Sequence, residues 1–231
     1  MEESTASPGN EALSRRQVLA VTGGSLATAL AGCSSPRRRL ASAPIPASPE
    51  EYRYAMMGTA EAPLTITYFG SWKCPYCAKF STGFLRQLLA DYVAPEKIAI
   101  KYRNLTYLGG SAFLGPDAPA AARAGLAVWN TDPQSYWAYH EYVMRHQPPE
   151  DERWATAETL VSFARKAGVS DPGAIRRAIT EQKYEEALRA TTDAATAAGV
   201  SGTPTLVIDG TAIVPLGNRD RTRRLIENAL E

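Results

Sequence analysis

Leu64-Thr65-Ile66-Thr67-Tyr68-Phe69-Gly70-Ser71-Trp72-Lys73-Cys74-Pro75-Tyr76-Cys77 is the stretch that decides the fold. Its first six residues are mostly β-branched or aromatic and read as a strand. From Pro75 to about Tyr92, the residues Phe80, Phe84, Leu85, Leu88, Leu89 and Tyr92 recur at helical spacing. Two thiols separated by two residues, after a strand and at the start of a helix, can close a small disulfide or open to a dithiol. A free thiol titrates near ~8.5 and is mostly protonated at neutral pH, so an attacking cysteine must be acidified. Cys74 has the means, because orphan amides and the macrodipole at a helix N-terminus favour an anion. Pro75 suits the first turn, where its missing N–H is not needed. Lys73 places a positive charge next in sequence. Cys77, about one turn further in, is expected to be more buried. Cys74 is therefore the exchanging sulfur and Cys77 the resolving one.

The chain has three cysteines: Cys33, Cys74 and Cys77. A four-cysteine zinc site needs a second CxxC, and none is present. The two histidines, His140 and His146, lack finger spacing, so no metal and no cofactor is expected. His140 sits in Tyr136-Trp137-Ala138-Tyr139-His140, an aromatic helical stretch, and reads as a packing or surface residue. The formal net charge of +1 gives no sign of a nucleic-acid partner.

Working outward, residues 51–105 read as β-α-β, with a second strand at Glu96 to Tyr102. Residues 116–198 show no convincing strand. They read as four or five helices: Ala118–Trp129, Tyr136–Arg145, Thr156–Ala167, Asp171–Thr180 and Lys183–Ala198. Gly168 is a C-cap candidate and Asp171 an N-cap candidate. The chain returns to α/β at Thr205-Leu206-Val207-Ile208. Asp209-Gly210 is a hairpin turn, Thr211 to Val214 the partner strand and Asn218 to Leu230 a final helix. Gly202-Thr203-Pro204-Thr205 places a proline at the entrance of a buried strand, which needs a reason.

In combination these features resemble the DsbA-like branch of the thioredoxin superfamily, over about residues 52–230. The resemblance is carried by Gly58, Ala62-Pro63-Leu64-Thr65-Ile66, Cys74-Pro75-Tyr76-Cys77, Tyr136 to His140, and Gly199-Val200-Ser201-Gly202-Thr203-Pro204-Thr205. It implies an α/β thioredoxin fold, at about 51–110 and 199–231, with an all-helical domain inserted at about 115–198. It implies a cis Pro204 facing the thiols, with the Thr203 backbone offered to a substrate strand. It also implies thiol–disulfide exchange on exported proteins, by Cys74 and Cys77 with Pro75 and Tyr76 between them. Two departures leave the direction of electron flow open. The dipeptide is Pro-Tyr where the strong oxidant of the family has Pro-His, and Thr203 stands where that oxidant has Val. Pro-Tyr occurs in glutaredoxins, poised at about −200 to −230 mV, against about −120 mV for DsbA.

The N-terminus adds an address. Arg15-Arg16 precedes a mildly apolar stretch, Val18 to Ala31, shorter than the ~20 residues of a membrane span. It resembles a twin-arginine export signal, with Val18 where Phe is common. Leu30-Ala31-Gly32-Cys33 resembles a prokaryotic lipobox, which implies lipid attachment at Cys33. Residues 1–32 are thus an export signal, and 33–50, rich in Ser, Ala and Pro, read as a semi-extended tether. Residues 51–231 are the domain. The expected protein is a monomer on the outer face of the cytoplasmic membrane. It donates its disulfide to substrate thiols and is reoxidised by a membrane redox partner. A reductase or isomerase using the same site, and a metal-binding lipoprotein holding a soft ion between Cys74 and Cys77, are the rival expectations.

Overall fold

The computed structural model describes residues 39–231. Its centre is a five-stranded sheet of β1 (Met56–Met57), β2 (Leu64–Gly70), β3 (Ile98–Asn104), and two later strands, β6 (Thr205–Ile208) and β7 (Thr211–Ile213). The spatial order is β1-β3-β2-β6-β7. β2 is parallel to β3, with Tyr68 opposite Tyr102, and antiparallel to β6, with Tyr68 opposite Leu206. Towards its C-terminal end this central strand is buried at Ile66, Tyr68, Phe69 and Gly70, while Thr65 near its start is exposed. A small hairpin, β4 (Tyr107–Leu108) and β5 (Ser111–Ala112), follows β3.

The helix after the thiols differs from the single run expected over Pro75 to Tyr92. α1 (Pro75–Thr82) stops at Gly83, α2 (Phe84–Leu88) restarts, and a π-type turn closes Leu89–Val93. Gly83 has φ −118° and ψ −96°, and a Cβ there would lie 2.9 Å from the Lys79 carbonyl. The break lets Cys77, Phe80, Phe84, Leu85, Leu88 and Leu89 all face the core.

Five helices join β5 to β6: α3 (Ala118–Thr131), α4 (Tyr136–His146), α5 (Ala157–Ala167), α6 (Pro172–Thr180) and α7 (Glu185–Ala197). Local chemistry sets their ends. Thr156 accepts from the Thr159 amide, Asp171 accepts from the Ala174 amide, and Gly168 closes α5 at φ 83°. The apolar stripes of α4 to α6 (Tyr139, Val143, Leu160, Val161, Ala164, Ile175) join the same buried cluster as the sheet. α8 (Arg219–Asn228) completes the chain and buries Ile226. This is the thioredoxin fold with a helical insertion.

The tether expectation is corrected over residues 39–50. Leu40 is fully buried in a short 3-10 turn, and Pro46 and Pro49 are buried too. The Ala41 amide donates to Glu141 Oε2 at 2.9 Å, and the Gly58 amide to the Pro44 carbonyl at 2.8 Å. A Pro- and Ala-rich segment can still anchor itself by a few apolar side chains, and proline burial leaves no amide unpaired. The expected export signal, with Arg15 and Arg16, and the expected lipid site Cys33 lie outside the described residues.

Candidate active site

β2 ends at Gly70, and Ser71 to Lys73 turn the chain so that Cys74 sits at the N-cap of α1 with extended backbone (φ −85°, ψ 118°). The Cys74 amide donates to the Ser71 carbonyl at 3.1 Å, and Pro75 takes the first helical position. Trp72 fixes the turn against β3, its amide donating to Asn104 Oδ1 at 3.1 Å. Both cysteines are free thiols. Cys74 retains 4% of its surface and Cys77 none.

The Thr203–Pro204 peptide is cis, and the Cys74 thiol donates to the Thr203 carbonyl at 3.4 Å. Four residues distant in sequence thus meet: Cys74, Cys77, Thr203 and Pro204. Thr203 Oγ1 is buried and makes no hydrogen bond in this geometry. It stands near enough to both sulfurs to lower the pKa of each by donating to a thiolate.

The two thiols are driven apart in acidity. The Cys74 thiol is lowered from 9.0 to about 6, first by the Cys77 thiol as donor. The Thr203 hydroxyl and the amides of Cys77 and Tyr76 add to this, while burial opposes it. Burial, and then the Cys74 sulfur beside it, push the Cys77 thiol well above its usual range, although the Ser71 amide donates to its sulfur at 3.4 Å. One sulfur is a thiolate at neutral pH and the other a shielded thiol, the pairing that thiol–disulfide exchange needs.

Lys73 does not contribute to this acidity in the way its sequence position suggested. Its side chain is buried, and its Nζ sits 2.5 Å from Asp117 Oδ1 and 2.9 Å from the Glu152 carbonyl. Asp117 Oδ2 accepts from the Ala155 amide. The lysine therefore pins the active-site turn to the helical domain. Of the aromatic side chains Phe69, Trp72 and Tyr76 around the thiols, only Tyr76 is exposed, at 63%.

His140 is a packing residue with defined partners. Trp72 Nε1 donates to its Nδ1 at 3.1 Å, and its Nε2 faces Ser81 Oγ at 3.1 Å. The rings of Tyr102 and Trp137 lie 4.9 and 5.2 Å away. Complete burial lowers its pKa from 6.5 to about 3, so it stays neutral. Neither this contact nor the Lys73–Asp117 pair has a local sequence signal, since each joins residues dozens of positions apart.

Residues 51–228 match the family model described as Thioredoxin. The chain belongs to the thioredoxin family. This thioredoxin-family chain is 24% identical over 176 residues to disulfide bond formation protein D of Bacillus subtilis, covering 76% of this chain and 77% of that one. The oxidised crystal structure of BdbD from Bacillus subtilis superposes with a TM-score of 0.70 at 23% identity, over 81% of this chain and 97% of that one. Chlamydia trachomatis DsbA superposes with a TM-score of 0.65 at 22% identity, over 76% and 90%. These structures share the fold.

Proposed function

We propose that this protein is an exported thiol–disulfide oxidoreductase that donates the Cys74–Cys77 disulfide to thiols of other exported proteins. The observation that carries the reading is the acidified Cys74, near 6, at a helix N-terminus beside a buried Cys77 and the Thr203 carbonyl. The name of the Bacillus subtilis relative, disulfide bond formation protein D, supports the same chemistry. A substrate thiolate attacks Cys74 Sγ, and the Cys74–Cys77 bond breaks with its electron pair going to Cys77. A second substrate thiol, as thiolate, attacks the first substrate sulfur. The substrate disulfide forms and Cys74 leaves as a thiolate. Stabilisation of that thiolate favours the reduced enzyme and so drives donation. Tyr76, exposed beside Cys74, and the backbone of Thr203 are the surfaces a substrate strand meets first.

Export rests on Arg15-Arg16 and the apolar stretch after them, and anchoring on Cys33 in Leu30-Ala31-Gly32-Cys33. The protein then acts as a monomer outside the cytoplasmic membrane and returns its electrons to a membrane redox partner. The test is the reduction potential of the full chain carrying Cys33→Ala, equilibrated in glutathione buffers. A value well above about −180 mV supports donation, and one near about −270 mV makes the protein a reductase. Mass spectrometry of the mature N-terminus tests lipidation of Cys33.

A further inference from the structure

Cys77 poses a chemical problem that Cys74 does not. When a substrate thiolate opens the disulfide, Cys77 leaves as an anion inside the core, with no exposed surface. An uncompensated buried charge is costly. The groups that most affect this sulfur are Cys74, the Thr203 hydroxyl and the Ser71 amide, and none is a carboxylate or a cation. On the side of β2 lies a further hydroxyl. Tyr68 is fully buried and faces Ser81 Oγ at 3.5 Å, and Ser81 lies one helical turn after Cys77 on the buried side of α1. Ser81 Oγ is 3.1 Å from His140 Nε2, and His140 Nδ1 is 3.1 Å from Trp72 Nε1.

The polarity of this chain is set at its far end. An indole N–H only donates, so His140 Nδ1 must accept. A neutral imidazole then carries its proton on Nε2 and donates to Ser81 Oγ. Ser81 Oγ, accepting from His140, keeps its own proton for Tyr68 Oη, and in that arrangement the phenol O–H is free to donate onward. Cys77 Sγ, one turn before Ser81 on the same buried side of α1, is the acceptor this polarity assigns to it. Trp72, Ser81 and Cys77 belong to the active-site turn and α1, so the chain runs from the turn, across α4, and back to the redox pair.

We propose that Tyr68 is a catalytic residue that donates a hydrogen bond to the departing Cys77 thiolate, and that Ser81, His140 and Trp72 are positioning residues that fix the direction of its hydroxyl. The step balances within the exchange already described, on which this inference rests. The substrate–Cys74 bond forms and the Cys74–Cys77 bond breaks. The electron pair goes to Cys77 Sγ, where Tyr68 meets it. The proton that finally neutralises Cys77 is the one lost by the second substrate thiol when it becomes the next nucleophile. Tyr68 keeps its own proton, because its burial holds the phenol well above its usual range. The same contact serves the reverse reaction, in which Cys77 attacks the mixed disulfide.

The experiment is the second-order rate of dithiothreitol attack on the oxidised full chain carrying Cys33→Ala, with and without Tyr68→Phe. Phe keeps the ring and removes only the donor. Loss of one hydrogen bond to an anion in a buried site slows the attack about ten- to a hundredfold. The Cys74 thiolate midpoint, read by ultraviolet absorbance of the reduced form, stays near 6, since Tyr68 faces the other sulfur. A folded Tyr68→Phe protein that opens at the parental rate overturns the proposal. A purely structural role would lower stability and leave the rate alone. Should Tyr68→Phe not fold, Ser81→Ala retains the phenol but frees its orientation, and it must slow the attack severalfold; an unchanged rate overturns the proposal equally. A parental protein whose disulfide no thiol attacks overturns the exchange reading itself.

Discussion

At the residue scale, the two sulfurs share one environment and answer it oppositely. Cys74 lies where a hydroxyl, two amides and a thiol converge, and its proton comes off near 6. Thr203 is the member of that set most open to substitution. Thr203→Val keeps the shape and removes the donor, so the Cys74 midpoint should rise by ~1 unit. The check is the pH dependence of alkylation by iodoacetamide; an unmoved midpoint would leave the acidification to the Cys77 thiol and the helix-terminal amides. The same depressed pKa links redox state to stability. A thiol that titrates lower when folded (about 6) than its ordinary 9.0 stabilises the reduced protein above the unfolded value. That stabilisation is lost as pH falls through about 6. Each pH unit inside the window is worth about 1.4 kcal/mol at most. Urea unfolding of the reduced protein should therefore gain on that of Cys74→Ser between pH 6 and 9. A difference that stays flat across those pH values would mean that the folded thiol is not acidified.

At the scale of elements, the active-site turn is clamped to the helical domain from two sides. Trp72 enters α4 through His140, and Lys73 reaches the start of α3 through Asp117. Gly125 of α3 lies against the same indole: a Cβ there would stand 2.7 Å from the Trp72 ring. Gly125→Ala should destabilise the fold by about 1–3 kcal/mol, since the added Cβ overlaps a fully buried ring. Lys73→Met should cost about 3–5 kcal/mol by stranding the Asp117 carboxylate, while Cys74 still titrates near 6. Denaturant unfolding with thiolate absorbance separates the two effects; a Cys74 midpoint that rises with Lys73→Met would return the lysine to the thiol's electrostatics.

These clamps also mark what the sequence could and could not disclose. Helices α5 and α6 announce themselves by Thr156, Gly168 and Asp171, because caps are local chemistry. Cys74 at a helix start and Asp209-Gly210 at a turn are local in the same sense. The hairpin of β4 and β5 carried a readable signal in Gly109-Gly110, both at positive φ, although its strands are only two residues each. β1 had none, because Met56-Met57 becomes a strand only by pairing with Lys101 and Ile100 at the sheet's edge. His140 and Asp117 have roles that exist only after α3 and α4 pack on the turn. Their sequence neighbours hold nothing that could reveal them.

At the scale of the whole molecule, the domain begins earlier than its composition suggests. Leu40 is buried against α4, and residues 41–58 are tied to the helices by the hydrogen bonds from the Ala41 amide to Glu141, from Trp129 Nε1 to the Tyr52 carbonyl and from Trp137 Nε1 to the Met56 carbonyl. α4 also carries His140, so the segment braces the helix that orients Trp72. Removing a fully buried leucine side chain costs about 2–5 kcal/mol. Leu40→Ala should lower the urea midpoint accordingly. Because the loss is remote from the sulfurs, the rate of disulfide opening in the folded protein should stay at the parental value. A chain that starts at residue 51 loses the whole brace and should be less stable again than Leu40→Ala. If the shortened chain unfolds at the same urea concentration as the full chain, the segment is a tether after all, and α4 holds the active-site turn without help from residues 39–50.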